Sequence, residues 1–264
     1  MSVSLLGFCW DASSSHARGP ALAPPLVMAL LDTDISSDYS LSGVRLSDVA
    51  AERTIPTLSR DGEAARDQIT DTVAAAIRAG HRPLSLGGDH SVTFPILSAI
   101  HAAHGPVNLL HIDAHQDMYE AYEGDPFSHA SPFARALEAG LIGNLVQVGI
   151  RSTSPEIRDG ARERGVVVLE AEDWRDIPYD RLKAPLYVSI DLDGLDPAFA
   201  PGVSHPEPGG LSTREVISML TKLQAPPIGA DIVELNPEKD VNLLTAHLAV
   251  RLVKELAAMM ATDA

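Results

Sequence analysis

Three short segments place acids and imidazoles at spacings that suit metal-assisted hydrolysis. In His111-Ile112-Asp113-Ala114-His115-Gln116-Asp117, positions two apart on extended backbone share a face, so Asp113, His115 and Asp117 converge if extension persists. Polar groups gathered at a buried strand end are costly without a partner. A divalent cation is such a partner, and alternating Asp and His offer the O and N donors that first-row divalent cations accept. The small Ala114 leaves room between them. His111 shares the period but lies further back, and reads as a core histidine hydrogen-bonded to its surroundings.

In Ser189-Ile190-Asp191-Leu192-Asp193-Gly194-Leu195-Asp196-Pro197, Asp191 and Asp193 project together from the end of an apolar run. A calcium-binding EF-hand is excluded because no loop closed by a Glu follows, and Asp196 before Pro197 suits a turn. In Gly87-Gly88-Asp89-His90-Ser91, paired glycines let the backbone turn sharply and approach something bound. His90 then emerges where a strand gives way to a helix, with Asp89 or Ser91 available as the cap. Each segment alone reads equally well as ordinary structure. Together they supply Asp113, Asp117, Asp191 and Asp193 with His90 and His115, in a chain with only 10 histidines. Four carboxylates offset two divalent cations, leaving the pair able to bind and acidify a water. A mononuclear zinc site is satisfied by fewer protein ligands, and an oxygen-rich set without thiolate favours Mn²⁺ over Zn²⁺.

The elements that must position these groups alternate short β-type runs with longer helical patterns, as in a mostly parallel sheet covered by helices. Strands are expected at Val3–Phe8, Pro83–Leu86, Val107–Asp113, Leu145–Gly149, Val166–Leu169, Leu186–Asp191 and Ile228–Val233. Helices are expected at Gly62–Ala79, Thr93–Ala103, Pro132–Ala139, Ser154–Arg164, Thr213–Leu223 and Val241–Ala261. Ser13–Pro25 and Leu195–Gly210 are Gly-, Pro- and Ser-rich stretches following strands. In an open α/β sheet, loops after the carboxyl ends of strands form the ligand crevice. No repeat or long linker divides the chain, so one domain over residues 1–264 is expected.

A formal net charge of −16, with 36 acidic against 20 basic residues, repels phosphate backbones and makes nucleic acid an unsuitable partner. The same field attracts small cations. Cys9 is the only cysteine, so no intrachain disulfide can form. The start shows no basic leader with a long apolar core, and no apolar stretch reaches the length of a membrane span. A soluble cytoplasmic protein is the resulting expectation.

These three segments resemble the signatures of the ureohydrolase family of arginases and agmatinases, and the likeness extends over nearly the whole chain. It is to plant-type arginases in particular, through Tyr122-Glu123-Gly124, Ser128-His129-Ala130-Ser131 and Pro197–Leu211. Gly194 departs from those relatives, which carry a larger residue there, a change expected to matter little to ligation. The resemblance implies a three-layer α/β/α fold around an eight-stranded, mostly parallel sheet. It implies hydrolysis of a guanidino group, through a tetrahedral intermediate, to urea and an amine, by trimers or hexamers. It also implies two Mn²⁺ per chain, one on His90 and Asp117, the other on His115 and Asp193, with Asp113 and Asp191 bridging. His129, matching a proton-shuttling histidine, and Glu234, matching a guanidinium-gripping carboxylate, join Asp117 in the implied catalytic set. Elementary chemistry is compatible: histidine titrates where a departing amine needs a proton, and a planar guanidinium favours a carboxylate.

L-arginine, giving L-ornithine and urea, is the expected substrate, with agmatine, guanidino acids and guanidine as alternatives. Loops Glu120–Ser131 and Arg151–Glu156 should decide among them, with Arg151 free to face a carboxylate and His205 placed to touch the substrate's tail. His16, His101, His104 and His247 read as surface or helix residues. An arginase-fold zinc deacetylase would need only one Asp-His-Asp site beside a histidine pair, and a non-catalytic metal-binding relative should lack a ligand. His90, Asp117 and Asp193 argue against both.

Overall fold

The computed structural model describes residues 1–262. Its strands are β1 (Ser2–Gly7), β2 (Ala50–Thr54), β3 (His81–Leu86), β4 (Val107–Ile112), β5 (Ile142–Val148), β6 (Val167–Leu169), β7 (Leu186–Asp191) and β8 (Gly229–Val233). They form one eight-stranded sheet in the order β2-β1-β3-β8-β7-β4-β5-β6, parallel throughout. Helices are α1 (Ala23–Leu31), α2 (Leu46–Val49), α3 (Gly62–Arg78), α4 (Thr93–His104), α5 (Pro132–Glu138), α6 (Pro155–Glu163), α7 (Thr213–Leu220) and α8 (Leu244–Met260).

Three elements escape the sequence pattern, among them the four-residue α2, too short to show a helical period. β2 is an edge strand, Ala-Ala-Glu-Arg-Thr, exposed at four of its five residues; it lacks the β-branched apolar run that marks a strand and pairs only with β1. α1 lies partly in a stretch that reads as loop because of Pro24 and Pro25. Both prolines sit in its first turn, where a helix has no use for their missing N–H groups. Where caps are strong the expected starts hold: Asp61 accepts from Ala64 N at 3.0 Å, Ser154 from Ile157 N at 3.3 Å, and Ser212 and Glu215 form a reciprocal capping box.

One apolar core packs α1, α7 and α8 against the sheet, and a second packs α3, α4 and α5 against its other face. Alternation along the central strands sends Leu84, Leu86, Ala230, Ile232, Val188, Ile190, Leu110, Ile112, Val146 and Val148 to the first core. The intervening positions on the opposite face are Ser85, Asp231, Ser189, His111 and Gln147. These are in register with one another across β3-β8-β7-β4-β5 and entirely buried. A polar row therefore crosses the middle of the sheet, one or two residues before the strand ends. Because the strands are parallel, every loop that follows one opens at the same edge, above that row.

Candidate metal centre and active site

All six expected donors meet at this edge, but not as an extended strand would deliver them. β4 ends at Ile112, and Asp117 is reached through irregular backbone that puts it at φ 50°, a conformation few non-glycine residues adopt. The turn brings Asp117 Oδ2 to 2.9 Å from His90 Nδ1, alongside Asp113 Oδ2 and Asp191 Oδ2, both at 3.2 Å. A second group forms next to it: His115 Nδ1 lies 3.2 Å from Asp193 Oδ2 and 3.4 Å from Asp113 Oδ1. The two oxygens of Asp113 thus face the two imidazoles. Backbone turns steady the carboxylates, with His115 N donating to Asp113 Oδ1 at 2.6 Å and Asp193 N to Asp191 Oδ1 at 2.8 Å.

The donor chemistry fits divalent cations. Thr93, Tyr187 and Ser189 hydroxyls all donate to the buried Asp231 carboxylate, Ser189 at 2.6 Å. Having spent its proton there, Ser189 Oγ accepts from His90 Nε2 at 3.0 Å. In the neutral imidazole that leaves His90 Nδ1 a lone pair, buried and without a hydrogen-bond partner, aimed at three carboxylate oxygens. Such an arrangement is repulsive unless a cation sits among them, and an imidazole whose far nitrogen is so anchored is typical of metal ligands. His111 also lies near His90 and Asp113, yet both of its nitrogens are committed: Gln147 Nε2 donates to Nδ1 at 3.0 Å, and Nε2 donates to Asp113 Oδ2 at 2.7 Å. The core-histidine expectation describes it correctly. Sequence reasoning passed over Asp231 and Gln147; the available signal was a polar side chain alternating with apolar ones in a buried strand.

Crowding sets the protonation of the cluster. Burial together with Asp193 and Asp113 drives Asp191 well above the usual carboxylate range, and burial with Asp113 raises Asp193 to about 6. Burial also opposes charge on Asp113, but His111, His115 and His90 override it and hold that carboxyl well below its ordinary value. Burial disfavours charged His90 and His115, and the surrounding carboxylates reverse this, raising both. Cations would displace these protons as they bind.

Beside the cluster lies a cavity of about 470 Å³, lined by His115, Asp117, Asp191, Asp193, His129 and Glu234, with Tyr119, Tyr122, Ser152–Ser154, His205 and Glu207 among the others. Glu234, 2% exposed, sits at φ 64° just past β8. Its Oε1 accepts from His90 N at 3.0 Å and from His129 Nδ1 at 3.1 Å. Its Oε2 is buried with no partner. Burial lowers the His129 pKa, but the hydrogen bond and charge of Glu234, with Asp117 and Asp89, raise it to about 9. His129 Nε2 faces Ser15, whose Oγ is 2.8 Å away; nothing in the spacing of Ser15 singles it out in the sequence.

Several smaller expectations change. The close approach allowed by Gly88 is to the chain itself: a Cβ there would stand 1.7 Å from the Trp10 carbonyl oxygen. Asp89 is the cap, accepting from Ser91 N, and also ties down Ser13 N. Asp196 forms the expected turn, accepting from Ala198, Gly209 and Gly210 N–H groups. Gly194 matters more than expected, since a Cβ on it would meet Asp113 Cα at 2.9 Å. Arg151 does not face the cavity's ligand space as a free cation; its guanidinium is taken up by backbone carbonyls. His16 is exposed, as expected, and its ring also lies 5.5 Å from that of His205, which in turn stacks on His129 at 5.4 Å.

Comparison with known proteins gives this geometry its context. The model of the arginase family matches residues 1–259. Arginase 1, mitochondrial, of Arabidopsis thaliana is 41% identical over 97% of this chain and 80% of its own length. Guanidinopropionase of Pseudomonas aeruginosa is 34% identical over 100% of this chain and 88% of its own length. The solved arginase of Medicago truncatula superposes with a TM-score of 0.92 at 39% identity, covering 98% of this chain and 87% of that one. These likenesses overturn the cytoplasmic expectation, because the similar plant arginases carry mitochondrial or chloroplastic names. A lone cysteine suits any reducing interior and does not single out the cytoplasm. No helix among the described residues is long and apolar enough to cross a membrane. The extent of the family match and the agreement of fold leave one placement: this chain belongs to the arginase family of metal-dependent hydrolases acting on guanidino groups.

Proposed function

We propose that this protein is an arginase, hydrolysing L-arginine to L-ornithine and urea with two Mn²⁺ per chain. His90 and Asp117 would hold one cation, His115 and Asp193 the other, and Asp113 and Asp191 both. Cations held there supply Lewis acidity and lower the pKa of water. The observation that carries the reading is Glu234 Oε2, a buried carboxylate oxygen without a partner in the cavity beside the cluster. A guanidinium is the complementary donor, and gripping it there presents its carbon to the metal side. His129, with a pKa near 9, carries a proton at neutral pH and offers it to the departing amine, with Ser15 linking its Nε2 toward solvent.

For the far end of the substrate, two contributions oppose each other. The net charge of −16 attracts agmatine, a dication, at least as well as arginine. The cavity lining supports arginine: Glu207 offers a carboxylate for an ammonium, and Ser152, Tyr119 and Tyr122 offer hydroxyls for a carboxylate. Since Arg151 is committed elsewhere, hydroxyl and backbone donors must do what a cation was expected to do. The resemblance also supports a single catalytic unit per chain assembling as trimers or hexamers, which sedimentation would measure. The decisive experiment compares kcat/KM for L-arginine, agmatine, guanidinobutyrate and guanidinopropionate on one Mn²⁺-loaded preparation. Arginine should lead; a clear preference for another compound refutes the substrate while leaving the guanidino chemistry standing.

A further inference from the structure

Arg151 joins two of the three ligand-bearing loops, those of Asp113–Asp117 and Asp193, to the substrate-side loop. Its backbone N–H, and that of Ser152, donate to the carbonyl of Ala114 at 2.9 and 3.0 Å, between Asp113 and His115. Its side chain turns the other way. Nη2 donates to Asp193 O at 2.7 Å and Leu195 O at 3.3 Å, and Nη1 donates to Gly194 O at 3.3 Å and Gly149 O at 2.9 Å. Nε and Nη2 both reach Glu207 O, at 3.1 and 2.5 Å. A guanidinium has five N–H donors in a fixed planar fork, and here they are spread over five carbonyls from three loops. Space is reserved for it: a Cβ on Gly210 would stand 2.6 Å from Nη2. No lysine could reproduce this, because one ammonium cannot span the fork.

We propose that Arg151 is a positioning residue that, beside the Asp196 turn, locks the Asp193 loop to the Glu207–Gly210 loop, so that its guanidinium couples retention of one cation to binding of the substrate's tail. Asp193 is oriented from both sides, its carbonyl by Arg151 and its carboxylate by Ala114 N at 3.2 Å. His90 stands outside this arrangement, since its loop is held by Trp10 and Glu234. The clamp therefore acts on the His115–Asp193 half of the centre and leaves the His90–Asp117 half alone. This selectivity rests on the two-cation reading above.

The test uses the full chain with Arg151→Gln and Arg151→Lys. Mn²⁺ affinities are measured by titration calorimetry, KM and kcat with L-arginine, and amide hydrogen exchange over residues 195–211. Losing an orienting contact behind a metal ligand typically weakens binding by about 10- to 100-fold. In Arg151→Gln one cation should weaken by that factor and the other by less than about threefold. KM should rise about tenfold, a change larger than that in kcat, as expected when a binding contact is lost. Exchange should quicken over 195–211 and not in α3. Arg151→Lys should fall between parent and Gln on each readout. Equal weakening of both cations with a general rise in exchange marks a bulk structural role and overturns the proposal. So does an Arg151→Gln protein with parental affinities and KM. If Gln fails to fold, Arg151→Lys decides, and parental values in Lys overturn it. A parent that binds no Mn²⁺ refutes the metal reading instead, and exchange over 195–211 still tests the clamp.

Discussion

Replacing Glu234 with Gln isolates the carboxylate proposed to grip the guanidinium. In the parent, Oε1 is committed to His90 N and His129 Nδ1, while Oε2 is buried and free. A backbone N–H is always a donor, so the Gln oxygen must take the Oε1 position, leaving its NH₂ where Oε2 stood. The substrate's N–H would then meet another N–H. The charge-assisted bond lost is worth roughly 1.5–3 kcal/mol, and the unpaired buried donors cost roughly 1–3 kcal/mol more. At about 1.4 kcal/mol per factor of ten, kcat/KM should fall by roughly two to four powers of ten, with metal content unchanged. Urea release under saturating Mn²⁺, read beside metal analysis, gives the answer. A variant within about threefold of the parent would refute the grip. A second arm uses metal-free protein. His129 is raised from 6.5 to about 9, burial opposing and Glu234 leading the rise. A raised imidazole contributes stability that is complete below pH 6.5 and lost as pH climbs through about 9, here on the order of 3 kcal/mol. Glu234→Gln should remove most of that dependence. Denaturation of both proteins at pH 6 and pH 10 measures it, and parallel curves would contradict the assignment of the shift to Glu234.

Asp113→Ala should lower the retention of both cations, because its two oxygens face His90 and His115 separately; metal analysis after desalting that finds only one cation lost would count against the bridging role. His129→Ala should reduce kcat by on the order of a hundredfold or more while cation content holds, and turnover equal to the parent's would remove the histidine from the mechanism. Gly88→Ala must push the Trp10 carbonyl away from a Cβ placed 1.7 Å from its oxygen, costing on the order of 3 kcal/mol. Chemical denaturation showing a loss below about 1 kcal/mol would contradict that close packing.

The cluster was legible because its six donors follow three strands that end at one edge, and parallel topology turns separate spacings into a single place. What spacing could not convey was the backbone that completes it. Asp117 and Glu234 arrive through left-handed residues, and neither is a glycine or asparagine that would announce such a turn. Arg151 illustrates the opposite failure. An arginine in a candidate substrate loop invites a ligand carboxylate, yet local carbonyls compete for the same donors and win. His16 and His205 meet across loops whose conformations no periodicity describes. α1 was hidden by Pro24 and Pro25, and β2 by a sequence with no buried face to mark it.

The polar row Ser85–Asp231–Ser189–His111–Gln147 has a consequence for how this sheet tolerates change. Its members are contributed by strands far apart in the chain, so no local segment contains the row, yet Asp231 and Ser189, and His111 and Gln147, rely on one another for hydrogen bonds, while the buried Ser85 hydroxyl has no partner. Substituting Asp231 alone strands the Ser189, Thr93 and Tyr187 hydroxyls, whereas changing several members together to well-packed apolar residues removes donors and acceptors in step. The costs of single changes are therefore not additive along the row. The apolar rows on either side can accept substitutions one at a time, but the row beneath the metal centre must change in concert or stay as it is.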